Sequence, residues 1–97
     1  METKRINVVV KIMPILGKER ELRKRMAYVA QETQKEAGCI FYNLFEGDKD
    51  NSSLYFLGEW ADQSSLDAHD LTQHVKDFRN DQPILAGEIS VTSLFKI

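Results

Sequence analysis

Two apolar segments near the middle of the chain, residues 39–46 and 53–60, limit the folds that this sequence can adopt. Both segments are rich in aromatic and aliphatic side chains of the kind found in β-strands. The stretch between them, Gly47-Asp48-Lys49-Asp50-Asn51-Ser52, consists of residues that favour turns. The pattern therefore predicts a β-hairpin over residues 39–60.

Side chains alternate between the two faces of a strand, and both faces of this hairpin are apolar. One face is expected to hold Ile40, Tyr42, Leu44, Leu54, Phe56 and Trp60, and the other to hold Phe41, Phe45, Tyr55 and Leu57. A sheet with one solvated face would alternate apolar and polar residues instead. Helices can cover one face, so we expect a second copy of the sheet to cover the other, in a homodimer formed through the sheet faces. The alternative is a monomer with a half-exposed aromatic face.

The residues before the hairpin predict a strand and a helix. Residues 5–12 are rich in β-branched side chains and predict the strand, with Pro14 and Gly17 in the loop after it. Residues 18–37 predict the helix because apolar side chains recur on one helical face, namely Leu22, Met26, Val29 or Ala30, Thr33 and Ala37. Gly38 is expected to end this helix, since glycine enters the left-handed conformation at little cost.

The residues after the hairpin predict a helical region and a last strand. Asp62 is expected to cap a helix over residues 63–71, and Thr72 to cap a second helical piece in a region that Pro83 ends. Residues 88–96 predict the last strand. The order β-α-β-β-α-β is typical of the α+β, ferredoxin-like fold, an antiparallel sheet with helices on one face.

Composition excludes several classes of protein. A chain of 97 residues predicts a single domain over residues 1–97. With 13 Lys and Arg against 15 Asp and Glu, the net charge is −2, which does not favour nucleic-acid binding. Cys39 is the only cysteine, so an intramolecular disulfide is excluded. We find no run long enough for a membrane span and no secretory signal, and therefore expect a cytoplasmic protein without a membrane partner.

The two histidines, His69 and His74, are the first candidates for chemistry. His69 follows Leu66 by three residues, which places it on the inward side of its predicted helix. There it would face the end of the strand that carries Trp60. A neutral imidazole in a cleft can act as a general base near neutral pH, although a core histidine bonded to the backbone would give the same pattern. The histidines are five residues apart rather than four, and no carboxylate has a matched spacing. The sequence therefore does not favour a metal site.

Aromatic residues are expected near His69. They could line a pocket between sheet and helices or fill an ordinary core; the candidates are Tyr42, Tyr55, Phe56, Trp60 and Phe78. Cys39 is expected to be a small apolar residue rather than a nucleophile. Glu59 is expected on the opposite face of the sheet, where a buried carboxylate would need an arginine or a backbone partner.

Several short motifs resemble the antibiotic biosynthesis monooxygenase family, whose members are small dimeric α/β-barrel proteins. They are Glu36-Ala37-Gly38-Cys39 with Tyr42, Glu59-Trp60, and Leu66-Asp67-Ala68-His69 with His74. Together with Pro14 and Gly17-Lys18, these motifs span nearly the whole chain. The resemblance implies the ferredoxin-like fold and a dimer in which two sheets close into a barrel.

The resemblance also implies a function. Family members that act as monooxygenases oxidise phenols or quinols with molecular oxygen and need neither metal nor flavin, so no cofactor is expected. His69 would then be the catalytic base or orienting group. A small aromatic or cyclic substrate and O₂ would be the partners, and the residues implied to bind the substrate are Tyr42, Phe56, Trp60, His74 and Phe78.

Some branches of the family fit less well. Phe56 stands where the polyketide-oxidising branch has an asparagine. The haem-degrading branch has a tryptophan at the position of His69 and a histidine near the position of Arg79, and this sequence has neither. The two-histidine pattern is most similar to the quinol monooxygenase-like group and is shared with a group that processes a phosphorylated quorum signal. The first hypothesis is therefore a cofactor-independent monooxygenase. The alternatives are an isomerase-type enzyme and a non-catalytic small-molecule-binding or stress-response dimer.

Overall fold

A four-stranded antiparallel sheet forms one layer of the protein, and three helices form the other. The computed structural model describes residues 4–48 and 53–97. The elements are β1 (Ile6–Pro14), α1 (Glu19–Thr33), β2 (Cys39–Glu46), β3 (Leu54–Trp60), α2 (Gln63–Asp70), α3 (Gln73–Leu85) and β4 (Ala86–Leu94). The strands lie in the order β2-β3-β1-β4, and all three neighbouring pairs are antiparallel. This arrangement confirms the predicted ferredoxin-like fold.

The hydrophobic core lies between the sheet and the helices. On β1 the alternating side chains of Ile6, Val8 and Ile12 are buried. α1 covers them with the face that its spacing predicted, made of Leu22, Met26, Val29, Ala30 and Thr33. Each large aliphatic side chain buried in this way contributes about 1.5–3 kcal/mol relative to exposure. The core therefore holds α1 against the central strands and leaves the sheet's other face outside it.

The predicted hairpin is present, but it contains a bulge. The pairing of β2 with β3 shifts between Cys39 and Phe41, which leaves Ile40 outside the regular alternation. Ile40 is 44% exposed and does not join Tyr42 on the core face. The prediction for Ile40 was therefore wrong, because simple alternation fails across a bulge. Residues 49–52 of the predicted turn lie outside the described residues.

α1 ends at Thr33, four residues earlier than predicted. A turn over residues 34–38 follows, in which the backbone N–H of Glu36 donates to the Thr33 carbonyl at 3.0 Å. Gly38 has the expected left-handed conformation, with φ of +82°, but it leads the chain into β2 instead of capping α1. A side chain on Gly38 would also overlap Ser65 of α2, so the turn packs directly against that helix.

Local capping fixes the start of α2 and the break before α3. The Asp62 carboxylate accepts a hydrogen bond from the Ser65 backbone N–H at 2.8 Å, which confirms the predicted cap. Thr72 precedes α3, although its hydroxyl donates to the His69 carbonyl at 2.8 Å rather than accepting from a backbone N–H of α3. Pro83 was wrongly predicted to end the helical region, which continues to Leu85. The fixed φ of proline fits a helix, and so close to the end only one hydrogen bond is lost.

β4 follows α3 without a loop and forms one edge of the sheet. It begins at Ala86, two residues before the predicted start, and pairs with β1. Its side chains are largely exposed, including Val91 at 64%. Among the described residues, no helix has the length and apolar character needed to cross a membrane.

Candidate active site

A cavity of about 650 Å³ lies between the sheet and the helices α2 and α3. Five residues predicted for the site line it: Tyr42, Phe56, Trp60, His69 and Phe78. Side chains of β1 and β4, among them Val10 and Val91, extend the apolar wall. Asp70 and Arg79 also line the cavity and form an ion pair at 2.9 Å. The volume and the mainly apolar walls suit a small organic ligand.

His69 lies in the last turn of α2 and is buried against aromatic rings. Its ring centroid is 4.8 Å from that of Trp60 and 5.5 Å from that of Tyr42. Its Nδ1 lies 2.9 Å from Oε2 of Glu36 and 3.2 Å from Oε1. Because an ionised carboxylate only accepts hydrogen bonds, these partners assign the proton to Nδ1 and a lone pair to Nε2. Within residues 4–48 and 53–97, Nε2 makes no hydrogen bond, so this nitrogen is available to a ligand.

Glu36 is the site residue that the sequence analysis did not identify. It lies in the turn between α1 and β2, where its carbonyl accepts a hydrogen bond from the Cys39 N–H at 3.2 Å. Its side chain is 12% exposed. Since 33 residues separate Glu36 from His69, no helical spacing could reveal the pair. The signal available in the sequence is the motif of residues 36–39, which contributes to the family resemblance.

His74, in the first turn of α3, approaches Glu36 as well. Its Nε2 lies 2.6 Å from the same Oε2 atom that contacts His69, and 3.2 Å from Oγ1 of Thr72. The structure thus brings both histidines to one carboxylate. The described residues that line the cavity do not include His74, which contacts Glu36 rather than the space where a substrate contact was expected.

Two of the aromatic side chains that line the cavity, Trp60 and Tyr42, carry polar groups. Trp60 is fully buried, and its Nε1–H has no hydrogen-bond partner among the described residues. Burial raises the pKa of the Tyr42 phenol well above its ordinary value, and the nearby Cys39 and Glu36 raise that pKa further. Tyr42 therefore stays neutral at physiological pH. Burial also raises the pKa of the Cys39 thiol, which accords with its expected apolar role.

Tyr55 and Glu59, which the sequence analysis considered, lie away from the cavity. Tyr55 pairs with Phe45 on the opposite face of the sheet, so its inclusion among the pocket candidates was wrong. Glu59 lies on that face too, and its carboxylate accepts a hydrogen bond from Arg5 at 3.2 Å. The expected arginine partner of Glu59 is thereby confirmed.

The sequence also matches a family profile, described as antibiotic biosynthesis monooxygenase, over residues 5–81. The chain belongs to the antibiotic biosynthesis monooxygenase family. The matched region contains Glu36, His69 and His74 together with the aromatic cavity residues. This antibiotic biosynthesis monooxygenase family includes monooxygenases, so its members provide a precedent for an oxidative reaction.

Several solved structures share the fold of this family member. A Pseudomonas aeruginosa protein is 21% identical with a TM-score of 0.94, and the match covers 100% of this chain and 98% of that one. A conserved Methanosarcina mazei protein is 30% identical with a TM-score of 0.88, covering 98% and 95% of the two chains. A Caulobacter crescentus protein that carries the family's name is 23% identical with a TM-score of 0.87, covering 98% and 92%.

A curated relative of this antibiotic biosynthesis monooxygenase family member is the uncharacterized protein sll1783 of Synechocystis. The two are 27% identical over 67 residues, which are 69% of this chain and 46% of that protein. The match thus spans less than half of the relative's length. Its name states no activity, so the function has to be argued from the site.

Proposed function

We propose that this family member is a cofactor-independent monooxygenase that oxidises a small phenolic or quinol-type substrate with molecular oxygen. The proposal rests on the hydrogen bonding of His69 and on its position in the cavity wall. Its Nδ1 is bound to Glu36, and the ring lines an apolar cavity with Nε2 free of hydrogen bonds to the described residues. An imidazole held in this way keeps one tautomer and one orientation, as a general base requires.

The proposed reaction begins with a proton transfer. Nε2 of His69 takes the phenolic proton, and the carboxylate of Glu36 stabilises the resulting imidazolium. The electron-rich anion then reduces O₂, while the apolar walls limit the contact of the intermediate with water. One oxygen atom enters at a ring carbon and the other leaves as water. The quinol supplies all four electrons, two as it becomes a quinone and two as a C–H bond becomes C–OH.

Trp60 is proposed to position the substrate. Its side chain is fully buried in the cavity wall, so the indole ring would act by packing against the substrate ring. Tyr42, Phe56 and Phe78 would form the apolar walls around the ring, as the cavity lining supports. We assign no substrate contact to His74.

The proposed working form is a homodimer through the sheet faces. Members of the family commonly dimerise. The face of the sheet away from the helices carries Phe41, Phe45, Tyr55 and Leu57, and Phe45 is 48% exposed. A second copy of the same face would remove these side chains from water in a two-fold symmetric interface.

Oxygen uptake tests the proposed reaction. The protein is supplied with a panel of hydroquinones, without added metal or flavin, and O₂ consumption is compared with product formation. We expect turnover in the wild type and a loss of about 10²-fold or more in His69→Ala. Lys76→Ala, an exposed change on α3, is the matched control and should keep wild-type turnover.

Two other results would replace the proposal. Product formation without oxygen uptake would indicate an isomerase-type enzyme, such as one that processes a phosphorylated quorum signal. Saturable binding of aromatic ligands without any turnover would indicate a non-catalytic binding or stress-response dimer.

A further inference from the structure

Three side chains from separate segments converge beside the cavity. Glu36 comes from the turn after α1, His69 from the end of α2 and His74 from the start of α3. One potential ligand atom from each lies within 4.8 Å of the other two. We propose that these residues bind a divalent first-row transition metal ion, such as Zn²⁺ or Co²⁺, as a two-histidine, one-carboxylate site.

In the folded protein, the five-residue spacing of His69 and His74 is compatible with a metal site. Two histidine ligands on one helix would lie four residues apart. Here His69 ends α2 and His74 begins α3, and the break between the helices brings the ring centroids to 6.1 Å. Glu36 supplies the carboxylate that local spacing could not reveal.

The distances within the cluster are close to those of a metal site. Zinc binds nitrogen and oxygen ligands at about 2.0–2.2 Å, so tetrahedral donor atoms lie about 3.3 Å apart. Oε2 of Glu36 is 2.9 Å from Nδ1 of His69 and 2.6 Å from Nε2 of His74. Side-chain shifts of less than about 1 Å would therefore admit the ion.

The chemistry of the donors selects the class of ion. Two imidazoles and one carboxylate favour zinc, cobalt or iron, whereas calcium and magnesium prefer sites made of oxygen atoms. The side chains of His69, Glu36 and His74 are only 9%, 12% and 14% exposed, so few water molecules reach the atoms that would bind the ion.

Metal binding and general-base catalysis are alternative states of this cluster. An ion on Nδ1 of His69 would replace the hydrogen bond to Glu36 and leave the ring proton on Nε2. That nitrogen would then have no lone pair to offer a substrate. The bound ion would therefore hold the protein in an inactive form. The metal site is inferred from the geometry of the three side chains and does not depend on the proposed reaction.

Binding of Co²⁺ tests the site in the absence of any substrate. Tag-free protein of residues 1–97 is cleared of metal with a chelator, dialysed, and titrated with Co²⁺ by calorimetry and visible absorption. We expect one ion per chain, with a visible band that Zn²⁺ abolishes. Glu36→Gln and His74→Ala should weaken the affinity about tenfold or more. Glu21→Gln, an exposed carboxylate paired with Lys18 outside the cluster, should bind as the wild type does.

Two results would overturn the site. One is the absence of saturable Co²⁺ binding to folded wild-type protein, and the other is equal affinity in the wild type and the ligand variants. Circular dichroism shows whether each variant folds. If His74→Ala does not fold, His74→Gln retains a polar side chain without the imidazole and should also lose binding. Failure of this test leaves the oxygen-uptake result unaffected, and the converse also holds.

Discussion

Gly58 on β3 lies directly against the ring of Tyr42, its partner in the register of β2. A Cβ built at Gly58 would overlap Cδ1 of that ring. The ring has little room to move, because Tyr42 is buried and its centroid lies 4.9 Å from that of Phe56. The missing side chain at Gly58 therefore allows Tyr42 to form the cavity wall.

Gly58→Ala should therefore destabilise the protein through overpacking. We expect the free energy of unfolding to fall by about 1–3 kcal/mol in denaturant titrations. Gly87→Ala is the matched control, since a Cβ there meets nothing closer than 3.8 Å, and its effect should stay within about 0.5 kcal/mol. Equal stabilities of the two variants would contradict the close contact between Gly58 and Tyr42.

Glu36→Gln should lower kcat far more than it changes KM. The amide can still accept the hydrogen bond of His69 Nδ1, but it lacks the charge that stabilises the imidazolium. We expect kcat to fall by about 10²-fold or more. Glu21→Gln, an exposed carboxylate of α1, serves as the control. A raised KM with unchanged kcat would show that Glu36 acts in binding alone.

Tyr42→Phe should make the protein less sensitive to alkaline pH. Burial raises the pKa of Tyr42 in the folded state, whereas in the unfolded chain it titrates near about 10. The folded state thus holds the proton more tightly, and this stabilisation is complete below about pH 10 and is lost as the pH rises above that value. Phenylalanine cannot ionise.

Denaturant midpoints at about pH 9 and about pH 11 measure this effect. The loss of stability between the two conditions should be smaller in Tyr42→Phe than in the wild type. Tyr28→Phe, at a position 55% exposed on α1, should lose as much as the wild type. An identical loss in all three proteins would rule out a role for Tyr42 ionisation.

Phe45→Glu should produce monomers. Phe45 lies on the sheet face opposite the helices and is already 48% exposed in a single chain, so the change should leave the fold of the subunit intact. Placing a carboxylate in the proposed interface would bury an unpaired charge. Light scattering should give the mass of one chain for Phe45→Glu and of two chains for the wild type. Tyr28→Glu, on the helical side, should remain dimeric; monomeric wild-type protein would refute the sheet-face dimer.

The sequence predicted those features that depend on neighbouring residues. Its richness in β-branched residues identified β1, and the helical spacing of Leu22, Met26 and Thr33 identified the buried face of α1. The cap at Asp62 forms within four residues, so its signal is local. Element order then sufficed for the ferredoxin-like topology, because few chain paths connect such elements.

The features that the sequence did not predict depend on tertiary contacts. Glu36 precedes β2 and His69 lies on α2 after β3. The pairing of Cys39 with Trp60 and the packing of α2 on the turn at Gly38 together bring the two side chains into contact. The bulge at Ile40 changes which side chains face the core without a glycine or proline to mark it. Glu36, the partner of His69 in the proposed proton transfer, therefore became visible only in the structure.

The most direct test of the account asks whether His69 removes a proton from a phenol bound in the cavity. para-Nitrophenol is mixed with the protein under nitrogen at a pH below the pKa of the free phenol, and the absorption band of its anion is recorded. We expect the band to appear on binding to the wild type and to be lost in a His69→Ala variant that still binds the phenol. An equally strong anion band in both proteins would contradict His69 as the base.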